Sequence, residues 1–293
     1  MANLKEIRSR IASVKSTQQI TSAMKMVSAA KLRKSQAAIV KLRPYSSKMS
    51  DIMAKLGSSM SDDVPFARKT NNKQENILII ALTSNKGLCS TFNSSVIKLA
   101  AKRIEDYQKQ GHKINVMSYG KKGDAAFKKT ENINYLGSND EIWEALTFDN
   151  VNKEADKFMN DFLQKKYDRI EIIYNQFKNA ATQITIAENF LPIRKEFTEI
   201  KKENSVKHNN DYIFAPSKEE IINSVIPQSL KTQFYKCFLD SFTSEHGARM
   251  TSMNKATDNA QSLLKELTLT YNKQRQSDIT NQIIEVSNGA NAV

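Results

Sequence analysis

Leu4-Lys-Glu-Ile-Arg-Ser-Arg-Ile-Ala-Ser-Val14 opens the chain with apolar residues at positions 4, 7, 11 and 14. Steps of three and four are the period of one face of an α-helix. Ile20, Ala23, Val27 and Ala30 are expected to continue a stripe on a similar face, with Gln18 and Thr21 as polar interruptions. No glycine occurs before Gly57, so the helix is predicted to reach that point, kinked or interrupted by Pro44 near Arg43. The other end of the chain reads alike, from about Ser217 to Glu285. Phe234, Phe238 and Phe242 step by four, and Met250, Met253, Ala256, Ala260, Leu263, Leu267 and Tyr271 follow at three and four, then Ile279, Ile283 and Val286. Gly289 is the expected stop. Gly247 lies inside this arm and is expected to soften it, at roughly 1 kcal/mol relative to alanine.

Between the arms the pattern changes. Residues 58–74 read as a loop around Pro65. Asn76-Ile-Leu-Ile-Ile-Ala-Leu82 is a short continuous apolar run, as in a buried strand of a parallel sheet. A polar turn with Gly87 leads into a helix from Ser94 to about Gln110, and Lys113–Met117 is a second strand. Glu141–Lys165 is predicted as helix, with further strands at Arg169–Tyr174 and Thr182–Ala187. Strands alternating with helices predict an α/β body with a Rossmann-like, doubly wound sheet. Pro192 to Asp211 is a polar, lysine-rich connector. The expected division is 1–57 as N-terminal coil helix, 73–215 as globular body and 217–287 as C-terminal coil helix.

Lengths then constrain the arms. A helix of about 55 residues is roughly 80 Å long at 1.5 Å per residue. A body of about 150 residues is roughly 40 Å across. Arms of that length cannot lie wholly on the body, and a lone amphipathic helix in water is poorly stabilised. Antiparallel pairing of the two arms buries both stripes, giving a two-helix coiled coil. Its imperfect heptads make it a poor autonomous coil and imply a partner that encloses it.

The formal net charge is +13, which calls for an acidic partner. The charge is concentrated: residues 1–48 carry eleven lysines and arginines against the single acid Glu6. Cys89 and Cys237, far apart, point to a reducing compartment and not to a disulfide scaffold. No stretch approaches the roughly 18 apolar residues of a membrane span. The N-terminal segment lacks a signal-peptide core and is expected to be mature protein.

No catalytic constellation emerges. His112, His208 and His246 show no metal-ligand spacing with the cysteines or with one another, and no Gly-x-Ser-x-Gly element occurs. The turn Ser84-Asn-Lys-Gly-Leu-Cys-Ser90 has the position of a phosphate loop but a single glycine, and reads as a tight strand-to-helix turn. Cys89 is expected to be a half-buried structural cysteine. No cofactor and no metal are expected. A nucleic-acid-binding coil and a nucleotide-binding α/β enzyme are the two alternative readings. The first lacks stacking residues, since Tyr45 is the only aromatic before Phe66.

At both ends the residues go beyond pattern. The run from Lys5 to Gln36, with Ser16-Thr-Gln-Gln-Ile-Thr-Ser-Ala-Met-Lys-Met-Val-Ser-Ala-Ala30 at its centre, closely resembles the gamma subunit family of F-type ATP synthases. So does Ser244-Glu-His-Gly-Ala-Arg-Met-Thr-Ser-Met-Asn-Lys-Ala-Thr-Asp-Asn-Ala260, followed by Tyr271-Asn-Lys-Gln-Arg-Gln276 and the Gly289-Ala ending. Gly87-Leu-Cys89 and Asp211-Tyr-Ile-Phe-Ala-Pro216 match in the family's order. The resemblance implies a non-catalytic rotor shaft that couples proton flow to ATP synthesis and hydrolysis on beta subunits. Its implied partners are three alpha and three beta subunits, the epsilon subunit and the proteolipid ring, with no nucleic acid. The implied location is the cytoplasmic side of a bacterial inner membrane, peripheral and held through the ring.

By the same match, Arg275 and Gln276 align with residues that catch a beta-subunit loop, and Lys25 lies near a beta-subunit lever. Arg8, Lys31, Arg33 and Arg249 are rim contacts, and Tyr212, Ile213 and Phe214 belong to the seat on the ring. Ala215 stands where many relatives carry glutamate, and Asn85 and Ser90 replace the commoner aspartate and glycine.

Overall fold

The computed structural model describes residues 4–57, 65–68, 74–193 and 218–290. In chain order these form α1 (Leu4–Gly57), β1 (Asn76–Leu82), α2 (Phe92–Lys109), β2 (Lys113–Tyr119), α3 (Lys121–Phe127), β3 (Asn134–Ser138), α4 (Phe148–Leu163), β4 (Arg169–Phe177), β5 (Gln183–Leu191) and α5 (Lys218–Ala290). The chain divides into two compact units, one of Met1–Ala30 with Arg249–Val293 and one of Lys31–Ala248.

The larger unit is built on a five-stranded sheet in the order β3-β2-β1-β4-β5. β1 pairs in parallel with both β2 and β4. This central position explains its unbroken apolar run, since both of its faces are covered. Leu78, Ile80 and Leu82 point into one cluster with Phe158 and Phe162 of α4 and Phe234 and Phe238 of α5. Ile77, Ile79 and Ala81 point into a second cluster with Val96, Ala100 and Ile104 of α2 and with Phe127. Alternate side chains of one strand thus serve two cores. The step of four in Phe234 and Phe238 has the same origin. Phe234 packs on Phe158 and Phe190 at 5.9 and 5.2 Å between ring centres, and Phe238 on Tyr119 at 4.9 Å. The start of α5 is therefore a core helix of this unit.

Several expectations need correction. Pro44 does not interrupt α1. Ile39 and Met49 on either side of it are buried, and this packing carries the helix past the missing backbone donor. The helix expected over Glu141–Lys165 is split into a 3-10 turn at Glu141–Trp143 and α4. Thr147 stops it, in an extended conformation, and its hydroxyl accepts from the Asn150 N–H at 3.3 Å as an N-cap. Trp143 before the cap stacks on Phe242 of α5 at an interplanar angle of 12°. α3 and β3 were not foreseen, because each is short and β3 is an edge strand carrying Gly137 at φ +103°. The sheet also closes with an antiparallel hairpin, β4–β5.

Gly247 has a packing reason to be glycine. A Cβ there would lie 3.3 Å from both Cα and O of Ala180, in the turn between β4 and β5. The glycine lets the helix and the hairpin backbone approach this closely.

In the smaller unit the two helices run antiparallel. Lys25 Nζ donates to Asn254 Oδ1 at 2.5 Å, and the Thr21 and Thr257 hydroxyls meet at 2.9 Å. The inward face of α1 follows the heptad positions Ile7, Ile11, Val14, Gln18, Thr21, Lys25 and Ser28, each buried or half-buried. This overturns the expected stripe: Ile20, Ala23, Val27 and Ala30 point outward, and Val27 is 58% exposed. The seam passes through the polar residues taken as interruptions. Leu264, and not Leu263, faces inward on α5. The apolar stripe drifts because 3.6 residues per turn does not divide the heptad, so the phase that packs is decided by the partner helix. Among the described residues, no helix is long and apolar enough to cross a membrane.

Candidate functional site

Two places merit consideration: the crevice at the ends of the strands, where α/β folds bind ligands, and the surface of the helix pair.

In a doubly wound sheet, the ligand crevice lies beyond the carboxyl ends of the strands where the crossovers change side. Here that point falls between β1 and β4, since β1 connects through α2 to β2 on one side and β4 lies on the other. α5 fills it. Ser244 Oγ donates to the Asn175 carbonyl at 2.9 Å, and Asn175 Nδ2 donates to the Phe92 carbonyl at 2.9 Å. Ala248 packs with Cys89 and Phe92, while Gly247 lies on the hairpin turn.

The turn after β1 is closed on itself. Asn93 accepts from the Ser84 N–H at 2.9 Å and donates to Ser84 Oγ at 2.8 Å and to Cys89 Sγ at 3.2 Å. Leu88 and Ser90 take positive φ, 61° and 54°, where a phosphate loop would use glycine. Cys89 is 2% exposed, more buried than expected. The crevice of the nucleotide-enzyme alternative is thus occupied by the chain's own helix. Among the described residues, no group of three His, Cys, Asp or Glu is placed to hold a metal.

Farther along, α5 is pinned to β5 through Glu188. Its carboxylate accepts from Tyr174 Oη at 2.5 Å and from Gln233 Nε2 at 2.8 Å, with Cys237 Sγ at 3.7 Å. Burial, then the neighbouring carboxylate, pushes the Cys237 thiol well above its ordinary range. This cysteine is held as a neutral packing group, unsuited to nucleophilic work.

The helix pair carries most of the residues singled out in the sequence. The contacts at Lys25 and Thr21 set a register in which Leu4 is level with about Gln274. Arg275 and Gln276 are therefore adjacent, exposed and level with the start of α1. Arg8, also exposed, lies about one turn away along the axis. Lys25 is half-buried and bonded across the seam, roughly 30 Å from that end at 1.5 Å per residue. Arg249, in the same unit, is 7% exposed and covered by the chain itself. Lys31 and Arg33 belong to the larger unit and are exposed on α1. Tyr212, Ile213, Phe214 and Ala215 lie outside the described residues, as does His208.

Beyond Gln274, α5 continues to Ala290 past the start of α1. Those sixteen residues extend roughly 24 Å. Ile279, Ile283, Ile284 and Val286 on this stretch are all exposed, the last at 74%. With Ile20, Met26, Val27 and Leu269 they give the unit a surface of apolar side chains that it cannot bury within itself. Sequence reasoning placed most of these residues inside the coil. For Ile20, Met26 and Val27 the heptad positions of Thr21, Lys25 and Ser28 were the available signal that they face outward.

Comparison with known proteins bears on what such a unit does. A family model described as ATP synthase matches residues 3–293. The chain is 52% identical over 293 residues to a protein of Flavobacterium johnsoniae called ATP synthase gamma chain, covering 100% of this chain and 99% of that one. A Bdellovibrio bacteriovorus protein of the same description is 39% identical over 297 residues, with the same coverage. Among solved structures, a chain of the Euglena gracilis mitochondrial ATP synthase aligns with a TM-score of 0.66 at 20% identity, over 99% of this chain and 94% of the other. A chain of the Tetrahymena thermophila mitochondrial ATP synthase central stalk and c-ring aligns with a TM-score of 0.57 at 22% identity, over 81% and 99%.

Proposed function

The chain belongs to the ATP synthase gamma chain family, and from this we propose that it is the central rotor shaft of the complex, carrying torque and no chemistry of its own. The observation that carries this reading is the inverted surface of the helix pair. Its seam is apolar at Ile7, Ile11, Val14, Met253 and Ala260 but turns polar at Thr21, Lys25, Asn254 and Thr257, while Ile20, Val27, Leu269, Ile279 and Ile283 face out. Such a pair is stabilised by enclosure. The exposed apolar side chains can slide against a sleeve, because dispersion and hydrophobic contact are non-directional. The partners are three alpha and three beta subunits around the helix pair, the epsilon subunit, and the proteolipid ring. The complex is membrane-bound, and this subunit is placed peripherally at the cytoplasmic face of a bacterial inner membrane.

Within that reading, Arg275 and Gln276 engage a beta-subunit loop, and their exposure side by side on α5 supports the role. Arg8, about one turn away along the axis and exposed, is assigned to the rim contacts by the motif match. Lys25 meets a beta-subunit lever, with Asn254 Oδ1 accepting from its ammonium group. Lys31 and Arg33 are exposed cations for an acidic rim, which gives orientation-dependent attraction. Arg249 is assigned to the rim on the motif match alone, and only 7% of it is exposed in the chain by itself. Tyr212, Ile213 and Phe214 are assigned to the ring seat on the motif match alone. The functional division follows residues 1–57, 73–215 and 217–287.

Assembly tests this reading. The full chain mixed with alpha and beta subunits should give a complex with one copy per three of each and ATP hydrolysis. A chain that remains monomeric in that mixture contradicts it.

A further inference from the structure

A groove of about 380 Å³ opens in the larger unit between α1, the end of β4 and α5. Ile39 and Leu42 of α1, Phe177 of β4 and Leu239 of α5 give it apolar walls. Arg43, Lys236 and Asp240 supply its charges, and Ser46, Ser47 and Gln176 complete the lining.

The three charged groups are arranged unusually. Asp240 is 6% exposed, yet its carboxylate makes no hydrogen bond and no ion pair within 4 Å among the described residues, and the same holds for Lys236 and Arg43. They interact through space across the groove. A buried carboxylate without a direct partner is costly, and two cations facing one groove repel each other. Both costs fall if a negatively charged group enters between the cations and Asp240 carries a proton to donate. The apolar walls strengthen such contacts at Lys236 and Asp240 over their value in water, while Arg43 is exposed.

We propose that this groove binds a small tetrahedral oxyanion, such as phosphate or sulfate, held by Arg43 and Lys236 and by the protonated carboxyl of Asp240. Binding is thus coupled to uptake of one proton. The groups that face Asp240 from the surrounding elements are Arg43 on α1, Lys236 and Cys237 on α5, and Glu188 on β5, itself bonded to Tyr174 of β4. Burial, with Glu188 assisting, moves the Asp240 carboxyl up to about 6 against the pull of Lys236 and Arg43. The competent protonated form is then mostly populated at pH 5.5 and scarce at pH 7.5. Because the groove joins α1 to the sheet and α5, an anion there ties together elements that no direct bond among these three side chains connects.

Sulfate is the suitable probe, since it stays dianionic across this range. Calorimetric titration of the full chain should show one saturable site, about 20-fold tighter at pH 5.5 than at pH 7.5, as the competent fraction dictates. Asp240→Asn should bind equally at both pH values, and Lys236→Gln and Arg43→Gln should weaken binding at pH 5.5 at least tenfold. Emission of Trp143, the single tryptophan, checks that each variant keeps α5 docked. Absence of saturable binding at pH 5.5, or binding unchanged in folded Lys236→Gln, would overturn the proposal.

Discussion

Replacing Asp240 with asparagine isolates the energetic consequence of a buried, unpartnered carboxylate. The side chain is nearly enclosed, and its carboxyl is moved from 3.8 up to about 6, chiefly by burial and also by Glu188. A group raised in the folded state contributes stability below its unfolded value, and that contribution is lost as pH climbs through the folded one. The interval from 3.8 to about 6 corresponds to about 3 kcal/mol at neutral pH and above. Asparagine keeps the shape and cannot ionise. Asp240→Asn should therefore raise the unfolding free energy by about 3 kcal/mol at pH 8, by about half that at pH 5, and by only about 0.5 kcal/mol at pH 4. Urea unfolding followed by Trp143 fluorescence reports on this unit directly, because the indole stacks on Phe242 of α5. An increment that is the same at pH 4 and pH 8, or a loss of stability at pH 8, would refute the reasoning.

Arg275→Ala and Gln276→Ala should change thermal stability by less than about 0.5 kcal/mol, as both are exposed, while lowering ATP hydrolysis in the reassembled complex. Unaltered turnover would remove them from the catch role. Gly247→Val should destabilise the chain by about 1–3 kcal/mol in urea, because its Cβ alone would meet the Ala180 backbone at 3.3 Å. Phe238→Ala should cost about 3–5 kcal/mol by the same measurement, since its ring is fully buried against Tyr119 and Trp143.

Long periodic elements were legible from residues alone. The continuous run Ile77–Leu82 stated its own burial on two faces, and the absence of glycine before Gly57 stated the length of the N-terminal arm. The phase of the helix pair was not legible. Hydrophobic periodicity puts Ile20, Ala23 and Val27 inside, whereas packing puts Gln18, Thr21 and Lys25 there, and only the partner helix decides between two nearly equal faces. The packing role of Gly247 was not legible for a similar reason: a helix propensity is local, but the backbone of Ala180 that needs the space is 67 positions away in sequence. Arg275 and Gln276 were reachable only by resemblance, since an exposed Arg-Gln pair on a helix carries no physical mark of a partner. The groove at Asp240 gave no sign in the sequence, because its three charged side chains come together only when α1 is laid against α5.

Rotation of the shaft is the central claim, and its direct measurement is optical. The full chain, labelled on an exposed residue of its larger unit and assembled with immobilised alpha and beta subunits, should turn in one direction on addition of ATP, in three equal steps per revolution. ATP hydrolysis by that complex at its full rate, with the label stationary, would contradict the account.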